Sequence, residues 1–390
     1  MEMVVVGMIS GTSHDAVDAA VGDFSIEDDT VVLHPRGLRS AELPGPIRAR
    51  IAACLPPAPT TIEAVCRLDT ELGQLFGRVA AEAISALAPG GADLVVSHGQ
   101  TVFHWVQENR ARGTLQLAAP AWIAEATATA VVSDVRSRDV ARGGHGAPLA
   151  STLDAMLLLD GERPRGSLNL GGIANITVRD GAGAVIAYDI GPASALLDAA
   201  VTELTGGRVR MDGGGAMAAR GRVDEDALAR LLDDDYYRRP PPKSTGKELF
   251  CAAYLHQRLG DRELSPDDLL ATLTELTARL VADACAAHGV EELVVAGGGV
   301  RNPTLMQRIT ALIDPAEVRP LEEFGLPAQA KEGYLIGLLG YLAVHGLEGT
   351  LPSATGASRG SILGSITPGE GPLVLPEPAS TPVRRLRISR

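Results

Sequence analysis

The segment Gly7-Met8-Ile9-Ser10-Gly11-Thr12-Ser13-His14-Asp15 lies between two apolar, β-like runs, Val4–Val6 and Val17-Asp18-Ala19-Ala20-Val21. A polar, glycine-bearing turn in that setting is suited to gripping a phosphate. Gly7 and Gly11 let the backbone bend and approach an anion, Ser10, Thr12 and Ser13 supply hydroxyl donors, and Asp15 or Asp18 can hold a magnesium ion directly or through water. A plain Ser/Gly hairpin is the alternative.

The design recurs at Ser167-Leu168-Asn169-Leu170-Gly171-Gly172-Ile173-Ala174-Asn175-Ile176-Thr177-Val178, again strand, glycine-centred turn, strand. A third glycine turn, Gly297-Gly298-Gly299-Val300-Arg301-Asn302-Pro303, would let a planar ring or a phosphate approach the backbone, although such turns are also structural punctuation. Asp189 ends the apolar run Val185–Tyr188 and precedes Ile190-Gly191-Pro192, so a strand delivers a carboxylate to a tight turn, where it can serve as a general base. Capping a helix over Ala193–Val201 is an equally open role for it. The lysines Lys243, Lys247 and Lys331 are the three in the chain, and their clustering in Lys-Ser-Thr-Gly-Lys-Glu and Lys-Glu points to places where a compact charge is needed.

These residues need elements to position them. Asp93–Ser97 reads as a short buried strand carrying His98-Gly99-Gln100-Thr101 at its carboxyl end, and Ala130–Ser133 does the same for Asp134, which is where α/β proteins place ligands. Thr60-Thr61-Ile62-Glu63 has capping-box spacing before a long amphipathic helix through Leu87. Ser265-Pro266-Asp267-Asp268 opens a second helix that Gly289 stops. The polar stretch 160–166 is the best boundary, giving a first domain over 1–163, joined by the C-terminal segment 350–390, and a second over 164–349. The Pro-rich tail from Pro368 reads as a docked or disordered terminus.

Composition narrows the function. Hydrophobic residues make up 45% and charged ones 21% of 390 residues, enough for a large core. A net charge of -13 and 3% aromatics argue against a nucleic-acid surface. No apolar run reaches the roughly 20 residues that span a bilayer, and no basic leader precedes the first, so the expectation is a cytoplasmic protein. Cys54, Cys66, Cys251 and Cys285 form no Cys-x-x-Cys pair and read as reduced, buried, small apolar residues.

Two strand–turn–strand phosphate elements and a late glycine turn are the pattern of the actin-like superfamily, and the segments Ser10–Asp18, Ser97–His104, Asp134–Leu149, Asn169–Thr177, Asp189–Asp198, Lys243–Phe250, Gly297–Met306, Gly325–Glu332 and Pro352–Gly364 resemble the anhydro-N-acetylmuramic acid kinase family. The resemblance implies a two-domain actin-like ATPase (ribonuclease H-like) α/β fold with a central nucleotide cleft. It implies ATP and Mg2+ as cofactors and a small amino sugar as substrate, with no nucleic acid or membrane partner and a homodimer as the candidate assembly. The activity implied is opening of the 1,6-anhydro bridge by water with phosphorylation of O6, in cell-wall recycling. An actin-fold kinase for another sugar and a non-catalytic nucleotide-binding regulator are the alternatives.

By the same resemblance, Gly11, Thr12, Ser13, His14, Asp15, Ala16, Val17 and Asp18 cradle the ATP phosphates, with Asn169, Gly171 and Gly172 from the second domain. Asp15 and Asp18 hold the metal. Gly297, Gly298, Gly299 and Asn302 border adenosine, and Asp189 is the catalytic base. His98, Gln100, Thr101, Asp134, Arg136 and Glu332 bind the sugar. Arg136 would pair with the lactyl carboxylate through its planar guanidinium, and Arg138 and Asp139 would pair with each other. His98 could instead be a buried, satisfied histidine, and Glu332 a first-turn helix acid. His14, Ala16, Ala193, Ser194 and Gly333 stand where the family usually has an apolar residue, glycine, glycine, asparagine and alanine.

Overall fold

The structure is a computed structural model that describes residues 2–11, 14–108, 110–161, 163–241, 243–246 and 248–389. In chain order its strands are β1 (Met3–Ser10), β2 (Ala16–Glu27), β3 (Thr30–Glu42), β4 (Leu94–Gln107), β5 (Arg110–Leu117), β6 (Val131–Ser133), β7 (Arg165–Leu170), β8 (Ile173–Arg179), β9 (Val185–Pro192), β10 (Glu292–Ala296), β11 (Glu317–Pro320), β12 (Ser365–Thr367) and β13 (Arg385–Ile388). The chain divides into unit 1, Met1–Leu157 with Phe324–Arg390, and unit 2, Leu158–Glu323.

The sheet of unit 1 has the order β12-β6-β4-β1-β2-β3-β13, with β5 pairing β4 off this path. β1, β2 and β3 form an antiparallel meander, while β4 runs parallel to β1 and β6 parallel to β4. The helix Ile62–Leu87 starts on Thr61, whose side chain accepts from the Ala64 N–H at 3.1 Å, and buries Leu68, Leu72, Leu75, Phe76 and Val79. These pack with Val6, Met8, Val17, Val21 and Val95 of the sheet, each full burial of a Leu or Phe stabilising by about 1.5–3 kcal/mol.

The helix Lys331–Val344 packs on β1, β2 and β4. It approaches so closely that a Cβ at Gly7 would lie 2.0 Å from the Gly333 carbonyl oxygen and 2.4 Å from the Gly337 nitrogen. Gly7, expected to give room to an anion, instead gives room to this helix. Gly333 is tight in the same place, because a Cβ there would stand 2.7 Å from the Ala20 methyl.

Two expectations change here. The helix belongs to unit 1, so residues 324–349 are not part of the second unit, and unit 2 begins at Leu158. Its Gly333 and Gly337 contacts are made with residues more than 300 positions away, which no local pattern reveals. The tail is docked: β13 adds to β3 in parallel, and Arg385 pairs with Asp29 at 2.6 Å.

Unit 2 repeats the topology with the order β11-β10-β7-β8-β9, again an antiparallel meander (β7, β8, β9) followed by parallel β10 and β11. The helix Pro266–Ala287, capped by Ser265 on the Asp268 N–H at 3.1 Å, supplies Leu270, Leu273, Leu276, Leu280 and Val281 to the core. Glu275 on this helix is buried and bonded to Arg279 and Arg308, each at 2.7 Å. Of the cysteines, Cys285 is buried as expected, but Cys54 and Cys251 are partly accessible and Cys66 is exposed.

Candidate functional site

Each unit carries its own group of candidates. In unit 1 the turn from β1 to β2 holds Gly11, His14, Asp15 and Ala16, while Thr12 and Ser13 lie outside the described residues. The His14 N–H donates to the Gly11 carbonyl at 3.2 Å, and His14 has φ of 56°, so the turn is a tight one with a left-handed residue. A Cβ at Gly11 would meet nothing within 4 Å, which leaves its backbone open to approach. Asp15 is exposed and Asp18 half-buried. Val17 is 0% exposed and in the core, so its side chain cannot touch a nucleotide.

β4 is longer than the expected short strand, running through Gln107, and the His98-Gly99-Gln100-Thr101 motif lies where its pairing passes from β1 to β5. The register slips there: Met8 faces Ser97, but Ser10 faces Gln100. A bulge of this kind bends the strand and re-aims its side chains. Gln100 is fully buried, accepting the Ser10 hydroxyl at 2.7 Å and donating to the Thr101 carbonyl at 3.1 Å. It ties the end of β1 to β4 and has no surface to offer a sugar. Thr101 is partly accessible, its hydroxyl accepting from Gln116 at 3.2 Å.

His98 is also withdrawn from solvent. Its Nε2 lies 2.8 Å from Arg136 Nε and its Nδ1 3.0 Å from the Gly99 carbonyl. Guanidinium can only donate, so Nε2 must carry the lone pair and Nδ1 the proton. Burial, reinforced by the Arg136 charge, pushes the imidazole down to about 3, so it is neutral. Both nitrogens are therefore committed within the chain, and His98 does not read a sugar hydroxyl directly.

Arg136 follows β6, and its Nη1 donates to the Gly146 carbonyl. Burial pushes it down to about 10, with Glu332 and Asp139 pulling it back up, so it stays cationic at neutral pH. Among the described residues no carboxylate lies within ion-pairing distance of it. Asp139 instead accepts the Gly146 N–H at 2.8 Å and the Thr355 hydroxyl at 2.9 Å, and Arg138 donates to the Ile362 carbonyl, so the expected Arg138–Asp139 pair does not form. Asp134 is exposed and accepts the Ser137 N–H at 3.1 Å.

Glu332 sits in the first turn of Lys331–Val344 and keeps part of its surface in solvent. Burial of its surroundings holds its carboxyl above the usual carboxylate range, Asp18 adding and Lys331 and Arg136 opposing. Glu332, Asp18 and Arg136 are thus brought together. Lys331 is structural, its ammonium pairing with buried Asp154 at 2.6 Å.

In unit 2, β7 and β8 form the second hairpin, with Asn169 paired to Asn175 and Asn175 to Asp189 on β9. The Gly171 and Gly172 carbonyls accept the N–H groups of Ser194 and Ala193 at 3.1 and 2.9 Å, so the hairpin caps the helix Ser194–Leu204. Asp189 does not cap that helix. Its Oδ2 accepts the Ser244 hydroxyl and the Thr245 N–H, each at 2.9 Å. Its backbone is fixed as well, by Asp189 N–H to the Lys243 carbonyl at 3.1 Å and by the Tyr236 hydroxyl to the Asp189 carbonyl at 2.8 Å. Burial holds its carboxyl above the usual range against those donors, with Glu248 adding. Oδ2 is held by two donors, and Oδ1 has none among the described residues.

Lys243 anchors this loop. Its ammonium donates to the Tyr236 and Tyr237 carbonyls at 3.2 and 3.0 Å and lies 4.9 Å from the Tyr236 ring centroid, a cage that fits a compact ammonium better than a planar guanidinium. Lys247 lies outside the described residues. Ser244, Thr245 and Tyr236 hold Asp189 from positions 47 to 56 residues away, and the hydroxyl-rich Lys243-Ser-Thr stretch is the one local sign of them.

The late glycine turn behaves differently from expectation at two positions. A Cβ at Gly297, where φ is 92°, would stand 2.7 Å from the Leu170 carbonyl, and one at Gly299 2.7 Å from Leu170 Cβ, so both glycines admit β7 rather than a ligand. Gly298 remains open. Asn302 caps the helix Pro303–Ile313 through the Leu305 N–H at 3.1 Å.

A five-stranded core with one antiparallel strand, occurring once in each unit with a polar turn between its first two strands, defines the actin-like ATPase class on the ribonuclease H-like fold. The profile of the anhydro-N-acetylmuramic acid kinase family matches residues 3–369, and the chain belongs to this family. It is 53% identical over 387 residues to the anhydro-N-acetylmuramic acid kinase of Streptomyces coelicolor, covering 99% of both chains. It is 51% identical over 384 residues to that of Streptomyces avermitilis, covering 98% of this chain and 99% of the other, and 50% identical over 375 residues to that of Rhodococcus erythropolis, covering 94% of each.

Proposed function

We propose that this protein uses ATP to convert 1,6-anhydro-N-acetylmuramic acid to N-acetylmuramate 6-phosphate, in the cytosol, as a step of cell-wall recycling. The observation that carries the mechanism is Asp189, with one carboxylate oxygen held by two donors and the other open to water in the sense that no described residue donates to it. In this reading the open oxygen takes a proton from water as that water bonds to the anomeric carbon. The bond from that carbon to O6 breaks, O6 bonds to the γ-phosphorus, and the bond from phosphorus to the β-phosphate oxygen breaks to release ADP. O6 never needs protonation, because the phosphoryl group captures it.

Arg136 would present a planar cation to the lactyl carboxylate. Gly11 to Asp18 and Asn169 to Gly172 would serve the triphosphate through backbone and polar side-chain donors. Magnesium keeps most of its waters and takes one or two carboxylates, and exposed Asp15 with half-buried Asp18, at the β1–β2 turn, are the acids that would hold it directly or through water. When bound, the ion would neutralise charge on the transferring phosphoryl group.

Incubation with anhydro-N-acetylmuramic acid, ATP and magnesium should yield a product heavier by one phosphoryl group and one water. A product carrying phosphate alone would overturn the coupled opening. Asp189→Asn should abolish turnover while nucleotide binding persists; full activity would remove Asp189 from the mechanism.

A further inference from the structure

We infer that His98 is a positioning residue that fixes the substrate-selecting edge of Arg136, and so sets the preference for an anionic sugar without touching it. The inference rests on the reading of Arg136 as the partner of the lactyl carboxylate.

The geometry is a two-point clamp. Arg136 Nε–H is taken by His98 Nε2 at 2.8 Å, and one Nη1 proton by the Gly146 carbonyl. One Nη1 proton and both Nη2 protons then have no partner among the described residues, enough for Nη1 and Nη2 to present a pair of N–H groups to two carboxylate oxygens. Each jaw of the clamp is itself fixed. The Gly146 N–H is held by buried Asp139, which Thr355 holds in turn. His98 is 4% exposed, and its Nδ1–H is aimed at the Gly99 carbonyl. Gly99 has φ of 71°, and a Cβ there would stand 2.5 Å from the Leu117 carbonyl oxygen, so the bulge that turns His98 toward Arg136 requires glycine.

The chemistry demands a neutral acceptor at this point. A protonated imidazole would have no lone pair for Nε–H and would repel the guanidinium; a carboxylate would neutralise the charge that the substrate is to meet. A buried neutral histidine orients the cation and leaves its charge available.

The test compares kcat/KM for 1,6-anhydro-N-acetylmuramic acid and for its lactyl carboxamide, which has the same shape without the charge. The wild type should prefer the acid, and Arg136→Ala should reduce that preference roughly 10- to 100-fold, the range for a charge-assisted hydrogen-bonded contact. His98→Leu should lose most of the same preference, mainly through KM. His98→Gln, whose side-chain carbonyl can accept the Nε–H, should restore it. In the Arg136→Ala background His98→Leu should add little. An unchanged preference in Arg136→Ala would overturn the carboxylate reading itself. A lost preference in Arg136→Ala with an intact one in His98→Leu would overturn the role of His98 alone. Should His98→Leu not fold, His98→Gln decides: a folded Gln variant that loses the preference as fully as Arg136→Ala overturns the inference, and one that keeps it supports it.

Discussion

Replacing Ser244 by alanine removes one of the two donors on Asp189 Oδ2 and leaves the Thr245 N–H in place. A hydrogen bond to an ionised carboxylate contributes about 1.5–3 kcal/mol. Ser244 is exposed, so water replaces part of the loss, and about half of that range is a fair expectation for the variant. Both donors favour the ionised form and act against the burial that raises the Asp189 carboxyl. Losing one must therefore raise it further. At 1.36 kcal/mol per unit, the acid limb of the kcat/KM profile should move to higher pH by about 0.5–1 unit. On the plateau above that limb a looser carboxylate should cost about 2- to 10-fold in rate. Initial rates across the acid limb, with Ser244→Thr as the variant that keeps the hydroxyl, measure both effects. An unmoved limb, or one displaced to lower pH, would refute the assignment of Ser244 as a donor to the working base.

Gly7→Ala should destabilise unit 1 by about 1–3 kcal/mol or prevent its folding, because backbone atoms of the helix Lys331–Val344 occupy the space, and a thermal melt reads this directly. Asp18→Asn should raise the magnesium concentration needed for half-maximal rate while changing the melting temperature little, as titration with the metal will show. Glu275→Gln should cost about 1–3 kcal/mol in a denaturant series, the arginine ends being partly in water. Burial raises the Glu275 carboxyl, but Arg308 and Arg279 outweigh it and hold it below the usual range. Its stabilisation is therefore complete above the ordinary carboxylate pKa and is lost as pH falls through the depressed one, so the wild type and Glu275→Gln should converge in stability in acid.

How legible all this was depends on sequence distance. The hairpins, the Thr61 and Ser265 helix starts and the strand leading to Asp189 rest on neighbours in the chain, and propensity and capping chemistry report them faithfully. The family motifs brought the reactive types forward, but could not say which side chains the fold had already used. Gln100 and His98 look like free polar groups until Ser10 and Arg136, 90 and 38 positions away, are seen to hold them. Gly7, Gly297 and Gly299 look like phosphate-loop glycines, yet each makes room for another element of its own unit. The assignment of residues 324–349 failed for the same reason, since the helix meets its partners across nearly the whole chain.

That arrangement has a consequence for synthesis on the ribosome. Unit 2 is continuous and can close while the chain is still growing, but the sheet of unit 1 waits for Lys331–Val344 to cover β1, β2 and β4 and for Arg385–Ile388 to flank β3. At about 5–20 residues per second, the interval between the emergence of residue 157 and that of residue 344 is roughly 10–40 s. Throughout it, one apolar face of the first sheet is without its cover. The close approach of Gly7 to Gly333 and Gly337 is the contact that completes that cover.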